Sequence, residues 1–144
     1  MDYATYAEGE AVLGWLNASI SLSGNQVDWN QFAVKFLNEI GNKVKSMNLS
    51  VGHIKIIVQN GTNYLVGNIT NDSGFAETRG NAANSDQAQM IVNARVGLPP
   101  HLLEKLVRES LIFSVEDKIN FAIKAWKCIS PGYPNPTYRY SRNF

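Results

Sequence analysis

An α+β two-layer sandwich, with one twisted sheet roofed on a single face by two helices, is the fold class this sequence predicts. Two alternating stretches and two helical stripes carry that expectation. Between Val12 and Leu22, the residues Val12, Leu16, Ala18, Ile20 and Leu22 share one side of an extended chain, while Asn17, Ser19 and Ser21 share the other. Successive side chains of a strand point to opposite faces, so such a strand has a dry side and a wet side. Met90 to Val96 repeats the pattern. The dry sides need a cover, and two segments supply apolar residues at three- and four-residue steps. These are Trp29, Phe32, Ala33, Phe36, Leu37, Ile40 and Val44, and then Leu102, Leu103, Leu106, Val107 and Leu111.

Taken in order, residues 1–10 lack periodicity and read as a leader or the remnant of a linker. A first strand runs from about 11 to 22, and Ser23-Gly24-Asn25 is expected to turn the chain. Asp28 suits the N-cap of the first helix, with Gln31 three residues on and Val27 placed to staple onto Phe32. Val51 to Gln59 alternates again, with Ile54, Ile56 and Val58 on one side and His53, Lys55, Ile57 and Gln59 on the other. Asn60-Gly61 is a strong hairpin signal, and with those two residues at the centre of the turn Ile56 faces Leu65 and Ile57 faces Tyr64. From Asn71 to Gln87 there is no period and many turn formers, which reads as a long loop with Phe75, Glu77 and Arg79 as its bulky residues.

A strand from Ala88 to Val96 follows, and Pro99 and Pro100 open the second helix, where a missing amide donor breaks no bond. Lys118 to Ile129 fits either a helix capped by Ser114 or a strand. Its β-branched and aromatic residues favour the strand, which also protects a sheet edge. Pro131, Pro134 and Pro136 make the remainder an extended, tyrosine-bearing tail. The expected organisation is therefore a single domain over 11–130 with a tail over 131–144.

A net charge of +1, with 17% charged and 44% hydrophobic residues, excludes a disordered chain and gives no bulk attraction for nucleic acid. Cys128 is the sole cysteine, which rules out an intramolecular disulfide and a four-thiolate zinc site and favours a reducing, cytoplasmic setting. The first ten residues lack the basic and apolar regions of a signal peptide, and no stretch approaches the ~18 apolar residues of a spanning helix, so no membrane role is expected.

The order strand, helix, strand, strand, strand, helix, strand is that of a ferredoxin-like sandwich. Within that order the chain resembles the C-terminal domain of CobW-like GTPases, the group of cobalamin-synthesis proteins and metallochaperones. Gly14-Trp15-Leu16-Asn17, Gly52-His53-Ile54-Lys55, the passage from Val92 to Leu103, and Ser130-Pro131-Gly132-Tyr133-Pro134-Asn135-Pro136-Thr137-Tyr138-Arg139 carry the resemblance. The phosphate loop and the Cys-X-Cys-Cys metal motif of that family's GTPase domain have no counterpart here. The resemblance thus implies a domain that contacts a GTPase domain or a client protein, with no catalytic residues and no cofactor of its own.

The expected contact surface is the outer side of the sheet together with the 71–87 loop and the tail. Trp15, His53, Lys55, Tyr64 and Trp126 are placed there, with Tyr138 and Arg139 beside them. Self-association through the same surfaces is compatible with this reading. The alternative is a small-ligand or metal site on the outer sheet face built from His53, Lys55 and Cys128, with His101 as a further possible ligand. A third reading, aromatics stacking the bases of single-stranded RNA, lacks the sequence signature of such modules. Glu104, Glu109, Glu116 and Asp117 read as the solvated side of the second helix, not as paired catalytic groups.

Overall fold

The computed structural model describes residues 13–130. Its elements are β1 (Gly14–Asp28), α1 (Trp29–Ser46), β2 (Val51–Asn60), β3 (Asn63–Ile69), β4 (Glu77–Asn81), β5 (Asn84–Val96), α2 (Pro100–Val115) and β6 (Ile119–Ile129). The six strands form one antiparallel sheet in the order β4-β3-β2-β5-β1-β6. In that sheet β1 and β2, joined through α1, flank β5, and the chain leaving β5 through α2 returns as β6 on the far side of β1. The hairpin β3–β4 extends the sheet beyond β2.

Both helices lie on the same side. Helix α1 packs over β3 and β2, and α2 packs over β1 and β6. The stripe read from the sequence is the buried face of α1, where Trp29, Phe36, Leu37 and Val44 have no exposed surface. Asp28 caps that helix, its Oδ1 accepting from the Gln31 amide at 3.0 Å. Trp29 meets Phe32 edge-on, with ring centroids 6.0 Å apart, and its Nε1–H donates to Ser85 Oγ at 2.9 Å, so the buried indole is satisfied. Helix α2 adds two buried serines to its stripe. Ser110 and Ser114 donate to the carbonyls of Leu106 and Ser110, one turn earlier. Ser114 is thus interior to α2, and the segment after it is the strand β6.

Several expectations are corrected. Ser23-Gly24-Asn25 does not end β1: Gly24–Gln26 bulge opposite the single residue Asp86, whose carboxylate accepts from the Gln26 backbone and side chain, and the strand continues to Asp28. The hairpin turn is centred on Gly61-Thr62, with Gly61 at φ 62, so Val58 faces Leu65 and Ile56 faces Gly67. Moving the turn by one residue moves the pairing by two, which keeps each apolar side chain on its face. The expected 71–87 loop contains β4 and the start of β5, tied to α1 by polar bonds: Asn30 Oδ1 accepts from the Ala82 amide and Asn30 Nδ2 donates to Asn81 Oδ1. No helix of the described residues is long and apolar enough to cross a membrane.

Candidate functional site

Alternation on antiparallel strands sorts every side chain of the sheet to one of two surfaces. The surface away from α1 and α2 carries no other element among the described residues. The pairing registers resolve it into rows that cross the strands. One row runs Ile129, Trp15, Arg95, His53. The next runs Lys127, Asn17, Asn93, Lys55, Asn68, Glu77. The third runs Ala125, Ser19, Ile91, Ile57, Val66, Arg79, and the fourth includes Ser21, Gln89, Gln59, Tyr64 and Asn81.

The third row gives the face an apolar centre: Ile57 and Val66 are half-buried by their neighbours and Ile91 is 42% exposed. Around it stand Lys55, Arg79, Arg95 and Lys127, with Glu77 as the one carboxylate in these rows. The Arg95 guanidinium lies 4.5 Å over the Trp15 ring, which fixes a long side chain against a flat one. The Trp15 Nε1–H is buried and has no acceptor among the described residues. His53 Nε2 and Asn68 Oδ1 are hydrogen-bonded at 2.8 Å, and Ser21 and Gln89 are bonded across β1 and β5. By contrast, the ion pairs of the described residues all involve the helical layer: Lys35 with Glu116, and Lys43 with Glu39 and Glu109.

Of the expected contact residues, Trp15, His53, Lys55 and Tyr64 lie on this face, Tyr64 being 54% exposed. Trp126 does not. The pairing of β1 with β6 shifts between Ser19 and Ile20, so one extra residue on β6 reverses the alternation. Trp126 is consequently opposite Ala18, on the helix side, where its Nε1–H donates to Glu104 Oε2 at 2.8 Å and Arg108 stacks 4.6 Å over its ring. Tyr138 and Arg139 lie outside the described residues.

The suggested His53, Lys55 and Cys128 site is not assembled on one face. Cys128 pairs with the buried Leu16, turns toward α2 and donates its thiol hydrogen to the Pro100 carbonyl at 3.3 Å, whereas His53 points to the opposite surface. Burial pushes the Cys128 thiol up from 9.0 to about 11, with the nearby Glu104 carboxylate adding to the shift. His101 is exposed in the first turn of α2. Among the described residues no three His, Cys, Asp or Glu side chains gather as a metal-binding group.

Arg95, Asn93 and Ile91 also belong to the face, and alternation along β5 gives their outward position but not their neighbours, because Arg95 meets Trp15 only through the β1–β5 register. Arg79, expected in a loop, joins the face through the pairing of β4 with β3. Comparison of the chain with protein-family models, with curated proteins and with solved structures finds no match.

Proposed function

We propose that this chain is a non-enzymatic interaction domain that docks a protein partner on the uncovered face of its sheet. The observation that carries the reading is the anatomy of that face: an apolar row of Ile57, Ile91 and Val66 with Arg, Lys, Trp and Tyr around it. Protein interfaces combine a dry centre with a polar rim in this way, and Trp, Tyr and Arg dominate their energetics.

The sheet edges fit strand-by-strand pairing less well. Strand β4 has five residues, all exposed and polar or glycine, and β6 carries a bulge together with Lys124 and Lys127. Short, bulged and lysine-bearing edges discourage addition of a further strand. Within this reading β2-β5-β1-β6 and the two helices are a ferredoxin-like sandwich into which the β3–β4 hairpin is inserted. The resemblance to the C-terminal domain of CobW-like GTPases extends the reading to a cytoplasmic domain whose partner is a GTPase domain or its client.

Site-specific photocrosslinking in cells tests the proposal. A benzophenone amino acid at Ile57 or Asn93 is expected to give discrete protein adducts, and one at Lys105 on the helical layer is not. A phosphate-loop GTPase among the adducts supports the narrower reading. Adducts formed equally from Lys105, or none from the sheet face, overturn the docking role.

A further inference from the structure

We infer that the partner of the uncovered sheet face presents an acidic surface, with carboxylates ringing an apolar centre. The inference rests on the docking reading and adds the chemistry of the occupant. The net charge of +1 conceals an uneven distribution. Lys55, Arg79, Arg95 and Lys127 face outward against Glu77, and none of the four has a carboxylate within ion-pair distance among the described residues. The helical layer mixes its charges instead: Lys35 and Lys43 are ion-paired across α1, α2 and the turn after α2, and Lys45, Lys105 and Arg108, which form no ion pair among the described residues, share the two helices with Glu39, Glu104 and Glu109.

Geometry gives the charge a pattern. Lys127 and Lys55 belong to one row and are three strand spacings apart, roughly 14 Å, with Asn17 and Asn93 between them. Arg95 is on β5 two residues beyond Asn93, roughly 7 Å away along the strand. Separated cations keep each other apart and leave room for one carboxylate each, while the intervening carboxamides can donate to and accept from a partner's backbone. A second copy meeting this one face to face would bring like charges together, which argues against a symmetric pair through this surface.

Nucleic acid is the other polyanion to weigh. Base stacking needs free rings close to one another. Trp15 already has Arg95 over it, and Tyr64 lies three strands and several residues away at the other corner of the face. The central row is aliphatic. Those features favour a protein surface.

Fluorescence anisotropy on the full chain separates the possibilities with three labelled probes of equal length. They are a glutamate-rich peptide with interspersed leucines, its lysine-for-glutamate counterpart, and a uridine oligonucleotide. The glutamate peptide is expected to bind best, and to weaken about tenfold between roughly 0.05 and 0.3 M NaCl, because the screening length falls from about 14 Å to about 6 Å over that range. The double variant Lys55→Glu with Arg95→Glu should lose about tenfold or more and gain affinity for the lysine peptide. Arg79→Glu with Lys127→Glu should act in the same direction without disturbing the Trp15 stack, and Lys105→Glu should leave binding unchanged. Preference for the oligonucleotide, lost in the same variants, overturns the inference in favour of nucleic acid. Failure of the glutamate peptide to bind also overturns it, while crosslinks from Ile57 or Asn93 would still uphold docking.

Discussion

The two surfaces of this sheet are made by the same strands and differ in nearly every physical respect. Toward the helices, Ile20, Ile54, Ile56, Val58, Ile69, Met90, Val92 and Val96 have no exposed surface. Away from them, carboxamides, hydroxyls and cations alternate with a single apolar row. Removing the first set from water drives folding, at about 25 cal/mol per Å² of apolar area buried. The second set contributes far less to folding and is correspondingly free to hold unpaired cations and an aliphatic centre. Stability is therefore lodged on one side of the sheet, and the proposed docking surface is on the other.

The sharpest way to break that contrast is to cut one side chain from each surface. Phe36, fully buried on α1 and stacked on Phe32, should cost about 3–5 kcal/mol as Phe36→Ala, read by urea unfolding at constant slope. A loss under about 1 kcal/mol would mean that the helical roof is loosely packed. Next in size is Gly67→Ala. A methyl group there would come within 2.1 Å of Leu37 Cδ1, a side chain with no exposed surface, and overpacking of this kind costs about 1–3 kcal/mol. An unchanged unfolding midpoint would show that Leu37 has somewhere to go.

How much of each surface could be read in advance follows from the same period of two. The inner face was legible because Leu16 to Leu22, Ile54 to Val58 and Met90 to Val96 alternate, and because the stripe from Trp29 to Val44 matches them. The hairpin turn slipped by one residue without harm, since Asn60-Gly61 and Gly61-Thr62 turns put the same side chains inside. Strand β4 was not legible: Glu77-Thr78-Arg79-Gly80-Asn81 has no buried side and is held by pairing with β3, which local sequence does not encode. Trp126 was misplaced by one bulged residue opposite the Ser19–Ile20 step, a shift that leaves no mark in composition. Of the proposed contact face, the residues outside β4 could be enumerated but not their neighbours. Strand order decides that Arg95 lies beside both Trp15 and His53.

Smaller effects sharpen the contrast at its margins. Asp28→Ala removes the carboxylate that accepts the Gln31 amide at the start of the roof and should cost about 1 kcal/mol, a loss that Asp28→Ser should largely restore. Cys128 is half-buried on the edge strand β6, beside the start of α2. Its thiol holds its proton up to about 11 against 9.0 for an unperturbed cysteine, so the unfolded chain releases that proton first. The associated stability is complete below pH 9.0 and drains as pH rises through about 11. Thiol-disulfide reagents should react with the folded protein at pH 8 more slowly than with the urea-unfolded chain, and Glu104→Gln should narrow the gap, because it removes the nearby carboxylate that disfavours the thiolate.

The smallest expected change in stability is also the one that most isolates the contact face. Ile91 sits at the centre of the aliphatic row with 42% of its surface exposed. Ile91→Thr keeps β-branching and strand preference while breaking the apolar patch, so unfolding free energy should move by no more than about 0.5–1 kcal/mol. The same substitution at Val92, one residue along and fully buried, places a hydroxyl between Ala18 and Ile56 and should cost several times more. Equal losses at the two positions would mean that the outer surface is covered in solution and does not stand open to a partner.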